Sequence, residues 1–513
     1  MKRGTTMSEL NLSYWNRLAL GLILSITGGI AFVLAFPPIE IWPLALVGFV
    51  PVLVAQHRIM PPKISSLAPA VGVAIWLQGY LGPVFAPVGT YMVWLPLIVF
   101  FISLVIDRGD RTFHAKTGYR WFVISGVLTW GAIEMIRLFI PIAGTWAFIA
   151  YPLYRQLWLI QPASIFGIIG TGMLVMMTNY FLAMLVIGRM DQKWQPQGSG
   201  NEPALPLDAG LARRWSVIGG SILAGWIALS LVLWNSSLEA PEVKVAAIQP
   251  EVSPIVSINR GEDMDALYEQ MIEQTLEAGA RGAEFIVWPE ASFNWDPQAD
   301  DRLNLTGLAH ETKAHLAVGY VVPAGEEGFY NEATVINPEG QFLGRFGKDH
   351  PVIFGGETSL SRGTYPVYDT PLGKLATIIC YDLDYTDTTR KMVARGAQLI
   401  GVPSNDWSSI ADKHYTHVVF RAIENRAAMV KADGSYNSAI VDPYGRIVEL
   451  AVYPEGGEAT LVADVQIGDG KGTVNTRLGD WAGWLALAGL AFFTFGGKWL
   501  ERKPRFLHPV YLK

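Results

Sequence analysis

Three polar side chains of this sequence, Glu290, Lys348 and Cys380, could together form a nucleophilic site. Each stands at the end of an apolar run of strand or hairpin character, and in open α/β sheets sites collect where strands end. A carboxylate can accept a thiol proton, and an ammonium can stabilise the thiolate and then a tetrahedral oxyanion. A lone buried cysteine is more often a small hydrophobe, however, and Glu and Lys are common on surfaces. Position alone therefore leaves both interpretations open.

The segment 242–466 must supply the elements that position these residues. Short apolar runs predict strands, and polar stretches with helical periodicity between them predict helices. A Pro-Glu-Gly turn within 331–350 predicts a hairpin. Because strands alternate with helices, we expect an α/β or mixed-sheet architecture. The predicted strands are 243–250, 283–290, 314–322, 374–382, 397–406 and the pair within 437–450, and the predicted helices include 264–282, 388–396 and 412–431.

The composition indicates a membrane protein. The chain has 513 residues, of which 51% are hydrophobic and 16% are charged. Ordinary soluble domains carry about 25% charged residues, so a disordered chain and a soluble enzyme of ordinary composition are both excluded. The net charge of −6 provides no basic footprint for nucleic acid, and we expect no such partner. The single cysteine excludes an intramolecular disulfide and a zinc site built from cysteines.

Long apolar runs on both sides of the segment 242–466 predict membrane spans of roughly 20 residues each. We predict a polytopic helical bundle of eight spans, with 1–241 holding seven of them. The segment 242–466 is then an inserted catalytic domain, and 467–513 holds the eighth span and a basic tail. The apolar stretch 140–163 is broken by Gly and Pro, and we interpret it as interfacial or re-entrant. The predicted spans are 18–36, 41–56, 68–87, 90–106, 121–139, 164–188, 215–234 and 478–497.

The distribution of Lys and Arg predicts the orientation of these spans, because cytoplasmic loops carry an excess of both. With eight spans the basic residues collect on one side, whereas the short loops near 37–40 and 88–89 on the other side have none. Both termini are therefore expected in the cytoplasm and the insert outside. The basic residues on the cytoplasmic side are Lys2, Arg3, Arg17, Arg58, Lys63, Arg108, Arg111, Lys116, Arg120, Arg189, Lys193, Arg213, Arg214, Lys498, Arg502, Lys503, Arg505 and Lys513.

Three ordered motifs in the insert resemble those of the nitrilase, or carbon–nitrogen hydrolase, superfamily. IVWPEAS (286–292) resembles its Glu motif, GRFGKDHPVIFGGE (344–357) its Lys motif, and LATIICYD (375–382) its Cys motif. The order and spacing agree across the insert. The resemblance implies a four-layer αββα sandwich and assigns Glu290, Lys348 and Cys380 as a catalytic triad.

The membrane half extends this resemblance to nearly the full chain. A nitrilase-like insert between the last two of eight spans resembles the apolipoprotein N-acyltransferases. The stretches 35–53, 144–156 and 414–447 resemble segments of that family, as does the pair Glu134 and Arg137, which are three residues apart on one helix face.

The chain also departs from that family's pattern at three places. Asp382 stands where the family usually has Glu, and Glu357 follows Lys348 by nine residues instead of eight. The stretch 405–410 lacks an aromatic-rich form.

The resemblance implies acyl transfer from a phospholipid to the amine of an S-diacylglyceryl-cysteine lipoprotein. A thioester on Cys380 would be the intermediate, and no cofactor is expected. The bacterial cytoplasmic (inner) membrane would hold the protein, with the catalytic domain on the periplasmic side. The supporting residues expected near the triad, for substrate binding or as its immediate surroundings, are Tyr381, Asp382, Glu357, Phe354 and Trp407.

Three alternatives remain from the residues alone. A membrane-tethered amidase or nitrilase would use the same triad on small amides, and a non-catalytic nitrilase-like scaffold would not use it. A transporter is a third alternative, although the spans show no repeated broken helices. His350, His414 and His417 lack a matching carboxylate–histidine pattern in the sequence, so we expect no metal site.

Overall fold

The computed structural model describes residues 8–9, 12–87, 89, 94–142, 144–195 and 206–501. These residues form two compact units. The first comprises the described parts of Met1–Ile136, Ile169–Trp226 and Ala482–Lys513. The second comprises Arg137–Ile168 and Ile227–Trp481, with residue 143 outside the description. The second unit thus contains the segment 137–168 in addition to the sheet-forming insert.

The first unit consists mainly of apolar helices, which satisfy their own backbone hydrogen bonds as a membrane requires. Helix α1 (Tyr14–Ala35) packs closely on its neighbours through Gly28 and Gly29. A Cβ at Gly29 would lie 2.6 Å from the carbonyl oxygen of Gly72, so only glycine permits this approach. The helices up to residue 234 are α1, α2 (Val50–Val54), α3 (Leu67–Phe85), α4 (Leu95–Ile106), α5 (Asp110–Lys116), α6 (Phe122–Arg137), α7 (Leu157–Ile160), α8 (Ala163–Lys193, broken at Gly167) and α9 (Ala209–Trp234). Two-residue strands β1 (Ser8–Glu9) and β2 (Trp194–Gln195) pair in parallel.

Among the described residues, five helical stretches are long and apolar enough to cross a membrane. The remaining predicted spans, 90–106, 121–139 and 478–497, fall on helices of 12, 16 and 21 residues. The described residues therefore contain five candidate membrane spans, and the number eight stays a prediction. The five stretches are Tyr14–Ala35, Trp42–Ile59, Pro62–Phe85, Ala163–Lys193 and Ala209–Trp234.

The second unit contains two six-stranded mixed sheets among its described residues. The first sheet has the order β14-β3-β4-β5-β6-β7 and the second the order β13-β12-β11-β10-β9-β8. In the first sheet β3, β4 and β5 are parallel, and in the second β9, β10 and β11 are parallel. The strands are β3 (Glu242–Gln249), β4 (Phe285–Val287), β5 (His315–Pro323), β6 (Phe329–Ile336), β7 (Phe342–Gly347), β8 (Tyr368–Thr370), β9 (Gly373–Thr377), β10 (Leu399–Ser404), β11 (Ala428–Asp433), β12 (Asn437–Val441), β13 (Ile447–Val452) and β14 (Ala459–Gln466).

The two sheets pack face to face with helices outside them. Val245 and Val287 of the first sheet share a buried cluster with Leu399 and Val430 of the second. Successive side chains of a strand point to opposite faces, so the intervening residues of β3 and β4 meet helices on the outer face. The unit is an αββα sandwich, which confirms the nitrilase-like architecture. The helices from residue 254 onward in this unit are α10 (Pro254–Arg260), α11 (Asp265–Ala280), α12 (Leu305–Thr312), α13 (Asp387–Ala394), α14 (Tyr415–Asn425) and α15 (Val474–Leu478). The next helix, α16 (Trp481–Glu501), belongs to the first unit from Ala482 onward.

Two sequence-based boundaries were wrong. The predicted helix 412–431 ends at Asn425, where Arg426 takes a positive φ of 54°, and the chain continues as strand β11. The predicted strand 374–382 ends at Thr377. Both runs are buried apart from the half-buried Lys374 and Asp412, so hydrophobicity alone did not indicate the change of backbone conformation.

Candidate active site

Three turns at strand ends hold the predicted triad. Glu290 follows β4, Lys348 directly follows β7, and Cys380 begins a short 3-10 helix, Cys380–Asp384, after β9. Cys380 has a positive φ of 41°, and Ala291, next to Glu290, has one of 51°. Such backbone conformations are uncommon for residues other than glycine, and they mark sharp turns that project a side chain from the sheet edge.

Lys348 lies between two carboxylates. Its Nζ donates to Glu290 Oε1 at 2.8 Å and to Glu357 Oε2 at 2.9 Å. Asn331 on β6 bridges the same two carboxylates, since its Nδ2 lies 2.8 Å from Glu290 Oε1 and 2.9 Å from Glu357 Oε1. The loop that carries Glu357 closes on itself, because the Val352 amide donates to Glu357 Oε2 at 2.7 Å. Sequence reasoning missed Asn331, although it opens the predicted hairpin.

The ammonium of Lys348 and the carboxylates around it stabilise one another's charged forms. Burial alone would lower the pKa of Lys348, but Glu290, Glu357 and the nearby Cys380 outweigh burial and raise that pKa well above its ordinary value. Burial raises the pKa of Glu357, and Lys348 more than offsets this, so the net pKa is lowered. Lys348 is therefore a permanent cation at neutral pH, held beside the cysteine turn.

The Cys380 thiol is buried, with 6% of the residue exposed. Its Sγ lies 3.7 Å from Asp406 Oδ1, and the backbone N–H of Asn405 also donates to it. Burial and the charges of Glu290 and Asp406 raise the pKa of the thiol well above its ordinary value, against an opposite effect of Lys348. The resting group is therefore a neutral thiol, within electrostatic range of both predicted partners.

Asp382 ties the cysteine turn to the lysine turn. Its carboxylate accepts the amides of Asp349 at 3.1 Å, His350 at 2.8 Å and Ile379 at 2.9 Å. Burial raises the pKa of Asp382 to about 7, although His350 and these amides act in the opposite direction. Its carboxylate thus holds the backbone on both sides of the site.

Aromatic side chains pack around the cysteine turn. Tyr381 donates its hydroxyl to the carbonyl of Ile142 at 3.0 Å. Its ring meets the buried Phe354 at 5.6 Å in an edge-to-face arrangement. Trp407 is half-buried and directly follows Asp406 in the chain. Phe354 is therefore in contact with the residue next to Cys380.

A second buried network surrounds His414. Its Nδ1 lies 2.7 Å from Asp406 Oδ1 and its Nε2 lies 3.3 Å from Asp384 Oδ1. His417 also pairs with Asp384, and Lys431 Nζ donates to Asp406 Oδ2 at 3.0 Å. The sequence has no carboxylate–histidine pattern around these residues, yet the fold brings the carboxylates of Asp384 and Asp406 to them. The carboxylates come from turns that precede α14, and they approach the histidines only in the folded chain.

The same network bears on metal binding. The potential ligand atoms of Asp384, His414 and His417 lie within 4.8 Å of one another, as do those of Cys380, Asp406 and His414. Burial lowers the pKa of His414, but Asp406 and Asp384 outweigh it and raise that pKa to about 9. A protonated imidazole cannot ligate a metal. The described charges therefore favour an ion-pair network at His414.

A third group with ligand atoms this close is Asp349, His350 and Asp387. Here His350 Nε2 lies 2.9 Å from Asp387 Oδ1. Burial lowers the pKa of His350, but Asp387 and other carboxylates outweigh it and raise that pKa. This imidazole is thus also an ion-pair partner of its neighbouring carboxylates.

Two known protein families match separate segments of the chain. Residues 28–181 match the apolipoprotein N-acyltransferase N-terminal domain, and residues 244–473 match the carbon-nitrogen hydrolase family. The chain is therefore similar to the apolipoprotein N-acyltransferases in its helical part and to the carbon-nitrogen hydrolases in its sheet-forming part. This confirms the resemblance inferred from the motifs, and the combination of domains supports an acyltransferase activity.

Relatives named apolipoprotein N-acyltransferase align over most of the chain. The one from Geobacter metallireducens is 27% identical and covers 91% of this chain and 94% of its own. Those from Gloeobacter violaceus and Azotobacter vinelandii are each 25% identical, and they cover 92% and 94% of this chain and 94% and 95% of their own. Similarity at this level spans both the helical part and the sheet-forming part.

Solved structures similar to this chain include amidases from Nesterenkonia. An amidase of the nitrilase superfamily from Nesterenkonia AN1 is 21% identical, with a TM-score of 0.37, and the match covers 44% of this chain and 93% of that one. An amidase from Nesterenkonia sp. is 21% identical, with a TM-score of 0.36, and the match covers 45% and 94%.

Proposed function

We propose that this protein transfers an acyl chain from a phospholipid to the N-terminal amine of an S-diacylglyceryl-cysteine lipoprotein. A thioester on Cys380 is the intermediate. The observation that carries the proposal is the ammonium of Lys348, held between Glu290 and Glu357 beside a buried cysteine. That group lies in a chain whose relatives are named apolipoprotein N-acyltransferase.

The first half-reaction forms the thioester. Glu290 accepts the Cys380 proton, and the thiolate attacks the carbonyl carbon of the phospholipid ester. Lys348 Nζ and the backbone N–H of Tyr381 stabilise the tetrahedral oxyanion. The C–O bond then breaks, and the leaving alkoxide takes the proton from Glu290 and departs as a lysophospholipid.

The second half-reaction forms the amide. The neutral amine of the lipoprotein attacks the thioester carbonyl, and Glu290 accepts a proton from the attacking nitrogen. The C–S bond breaks, and Cys380 recovers its proton as the amide leaves. Two half-reactions at one thiol give ping-pong kinetics.

In our proposal, residues around the triad hold Lys348 and the backbone of the site in position and border the acyl chain. Glu357 fixes Lys348, and Asp382 fixes the backbone on both sides of the site. Phe354, which packs on Tyr381, and the half-buried Trp407 border the acyl chain.

Both proposed substrates are anchored in a membrane, which accounts for the attachment of the catalytic unit to apolar helices. We infer eight spans in the bacterial cytoplasmic membrane, with residues 1–241 as a bundle of seven and residues 467–513 as the eighth span with its tail. The insert 242–466 then lies on the periplasmic face. The support is the alternation of basic residues between the loops.

Intact-mass spectrometry of the purified protein tests the proposal. Incubation with a phospholipid of defined chain length should add the mass of one acyl group, removable by hydroxylamine. Because the chain has one cysteine, Cys380→Ser should show no hydroxylamine-sensitive adduct. Glu290→Gln should lose the base and Lys348→Arg the compact point charge, and we expect each to reduce thioester formation by at least about 100-fold.

Glu326→Gln removes an exposed carboxylate from the same unit and is the matched control. It should acylate at the wild-type rate. A wild-type protein that never gains an acyl mass, or a Glu290→Gln variant that gains it at the wild-type rate, would contradict the proposal.

A further inference from the structure

The proposed mechanism does not use the carboxylate that contacts the cysteine. Asp406 Oδ1 lies 3.7 Å from Cys380 Sγ, within the range of a hydrogen bond from a thiol. Asp406 lies two residues beyond the end of β10 and is 3% exposed. The two groups therefore meet away from bulk water, where such a contact is stronger than in solution.

Four further contacts fix Asp406 in place. His414 Nδ1 lies 2.7 Å from Oδ1, and Lys431 Nζ lies 3.0 Å from Oδ2, which Asn437 Nδ2 also contacts. The Asp406 amide donates to Asp433 Oδ2 at 3.0 Å. With its lone pairs engaged by cations and an amide, this carboxylate has little capacity left to bind a substrate amine.

The same contacts prevent Asp406 from acting as the base. Burial alone would raise its pKa, but His414 and Lys431 outweigh burial and lower it well below its ordinary value. A carboxylate of such low basicity accepts a hydrogen bond from a thiol without taking the proton.

We propose that Asp406 is a positioning residue that holds Cys380 as a neutral, hydrogen-bonded thiol until the acyl donor binds. His414 and Lys431 keep Asp406 ionised and fixed. The thiol must leave this hydrogen bond to deliver its proton to Glu290, so reactivity depends on the bound ester. The inference rests on the proposed function for the identity of that ester.

Charged groups from four other elements face or influence the thiol. Glu290 follows β4, Lys348 follows β7, Lys431 lies on β11, and His414 precedes α14. Removal of the Asp406 charge should lower the pKa of Cys380 and favour the thiolate, because the positive charges around the thiol then face one negative charge fewer. Removal of the His414 charge should have the opposite effect, because its ring lies within 4.8 Å of the thiol.

The rate of Cys380 alkylation by iodoacetamide, followed across pH by intact mass, measures this directly. In Asp406→Asn the midpoint of the pH profile should fall by about one unit or more, which is roughly tenfold more thiolate at a given pH below the midpoint. Thioester formation from phospholipid should nevertheless slow by at least about tenfold, because the thiol is no longer oriented. General loosening of the fold would raise the limiting alkylation rate at high pH, whereas loss of the Asp406 charge should shift the midpoint and leave that limiting rate unchanged.

Asp442→Asn is the matched control, since Asp442 is likewise buried and pairs with Arg446 at 3.3 Å in the turn between β12 and β13, outside the contacts of Asp406. Its alkylation midpoint should stay at the wild-type value. A shift in Asp442→Asn equal to that in Asp406→Asn, or no shift in Asp406→Asn, would overturn the proposal.

His414→Gln serves as a second variant if Asp406→Asn does not fold. It retains the Asp406 carboxylate and removes a cation, so the midpoint should rise, and an unchanged or lower midpoint would refute the inference. If the wild type forms no thioester with any phospholipid but these midpoint shifts occur, the proposed acyl transfer fails while the role of Asp406 stands.

Discussion

Lys348 provides the positive charge that compensates the carboxylates of Glu290 and Glu357 in the proposed site. Two carboxylates and the thiol surround a single buried ammonium, and Asn331 supplies two neutral donors to the same carboxylates. Loss of one member of a buried charged group typically costs 3–5 kcal/mol, because its partner is left uncompensated. The site is thus an interdependent unit, in which Glu357 and Asn331 matter for the position of Lys348 as much as Glu290 does.

His414 should make the stability of the second unit depend on pH. Asp406 and Asp384 raise the pKa of His414 to about 9, above its ordinary 6.5. The native state therefore holds a proton that the unfolded state releases, so the stabilisation is complete below pH 6.5 and is lost as pH rises through about 9. Each unit of pKa shift is worth about 1.4 kcal/mol. The melting temperature of the wild type should therefore fall across this window more steeply than that of His414→Gln.

His310→Gln removes an exposed imidazole from α12 and controls for the loss of a histidine as such. Its melting temperature should follow the wild-type slope between pH 6.5 and 9. Parallel slopes for wild type and His414→Gln would show that His414 does not carry a proton in the native state.

Glu290, Lys348 and Cys380 could be predicted because each ends an apolar run, and a resemblance in three motifs singled them out together. Asn331 and Lys431 could not, since a polar residue within a strand is the ordinary sign of a solvent-facing side. The partners of Asn331 lie 41 and 26 residues away along the chain. Contacts between residues so far apart in the chain leave no pattern in the local sequence.

At the scale of elements, the segment 144–151 forms part of the surroundings of the cysteine turn. The Thr145 amide donates to the carbonyl of Asp384 at 2.7 Å, and Trp146 Nε1 donates to its carboxylate at 3.0 Å. Tyr151 stacks on His417 with ring centroids 4.2 Å apart. From the sequence, 140–163 was predicted only to be interfacial or re-entrant. Its position beside the cysteine turn depends on hydrogen bonds between residues more than 200 positions apart, which the sequence does not reveal.

Gly144→Ala should separate this loop from the cysteine turn. Gly144 has a φ of +46°, and a Cβ there would lie 2.5 Å from the carbonyl oxygen of Asp384, which cannot move without the turn. The positive φ alone costs about 1 kcal/mol, and the clash adds to it. We expect a lower melting temperature together with at least about tenfold slower thioester formation.

Gly261→Ala is the matched control for this substitution. Gly261 has a φ of +65° in the same unit, but a Cβ there meets nothing within 4 Å. It should therefore show the backbone cost without the loss of thioester formation. Equal effects in the two variants would mean that the contact between Gly144 and Asp384 has no influence on the site.

At the scale of the whole molecule, the chain joins an apolar helical unit to a sandwich of two sheets. The alternation of strands and helices along the insert predicted only an α/β or mixed-sheet architecture, and the resemblance to the nitrilase superfamily implied the four-layer sandwich. The span count is harder to predict. Helices α4 and α6 have 12 and 16 residues, shorter than the roughly 20 that cross a bilayer without help from flanking residues.

The orientation of the chain gives the last prediction. Eight spans place both termini on the side that collects Lys and Arg, and they place residue 240, after α9, on the other side. Alkaline phosphatase fused after residue 240 should therefore be active in bacterial cells. The same enzyme fused at the C-terminus should be inactive, whereas green fluorescent protein at the C-terminus should fluoresce. Truncation before α9 with the reporter fused at residue 205 is the internal control, because it removes one span and should reverse the signal. An active cytoplasmic reporter after residue 240 would place the insert inside the cell, where no lipoprotein amine is exposed to it, and would contradict both the span count and the proposed acceptor.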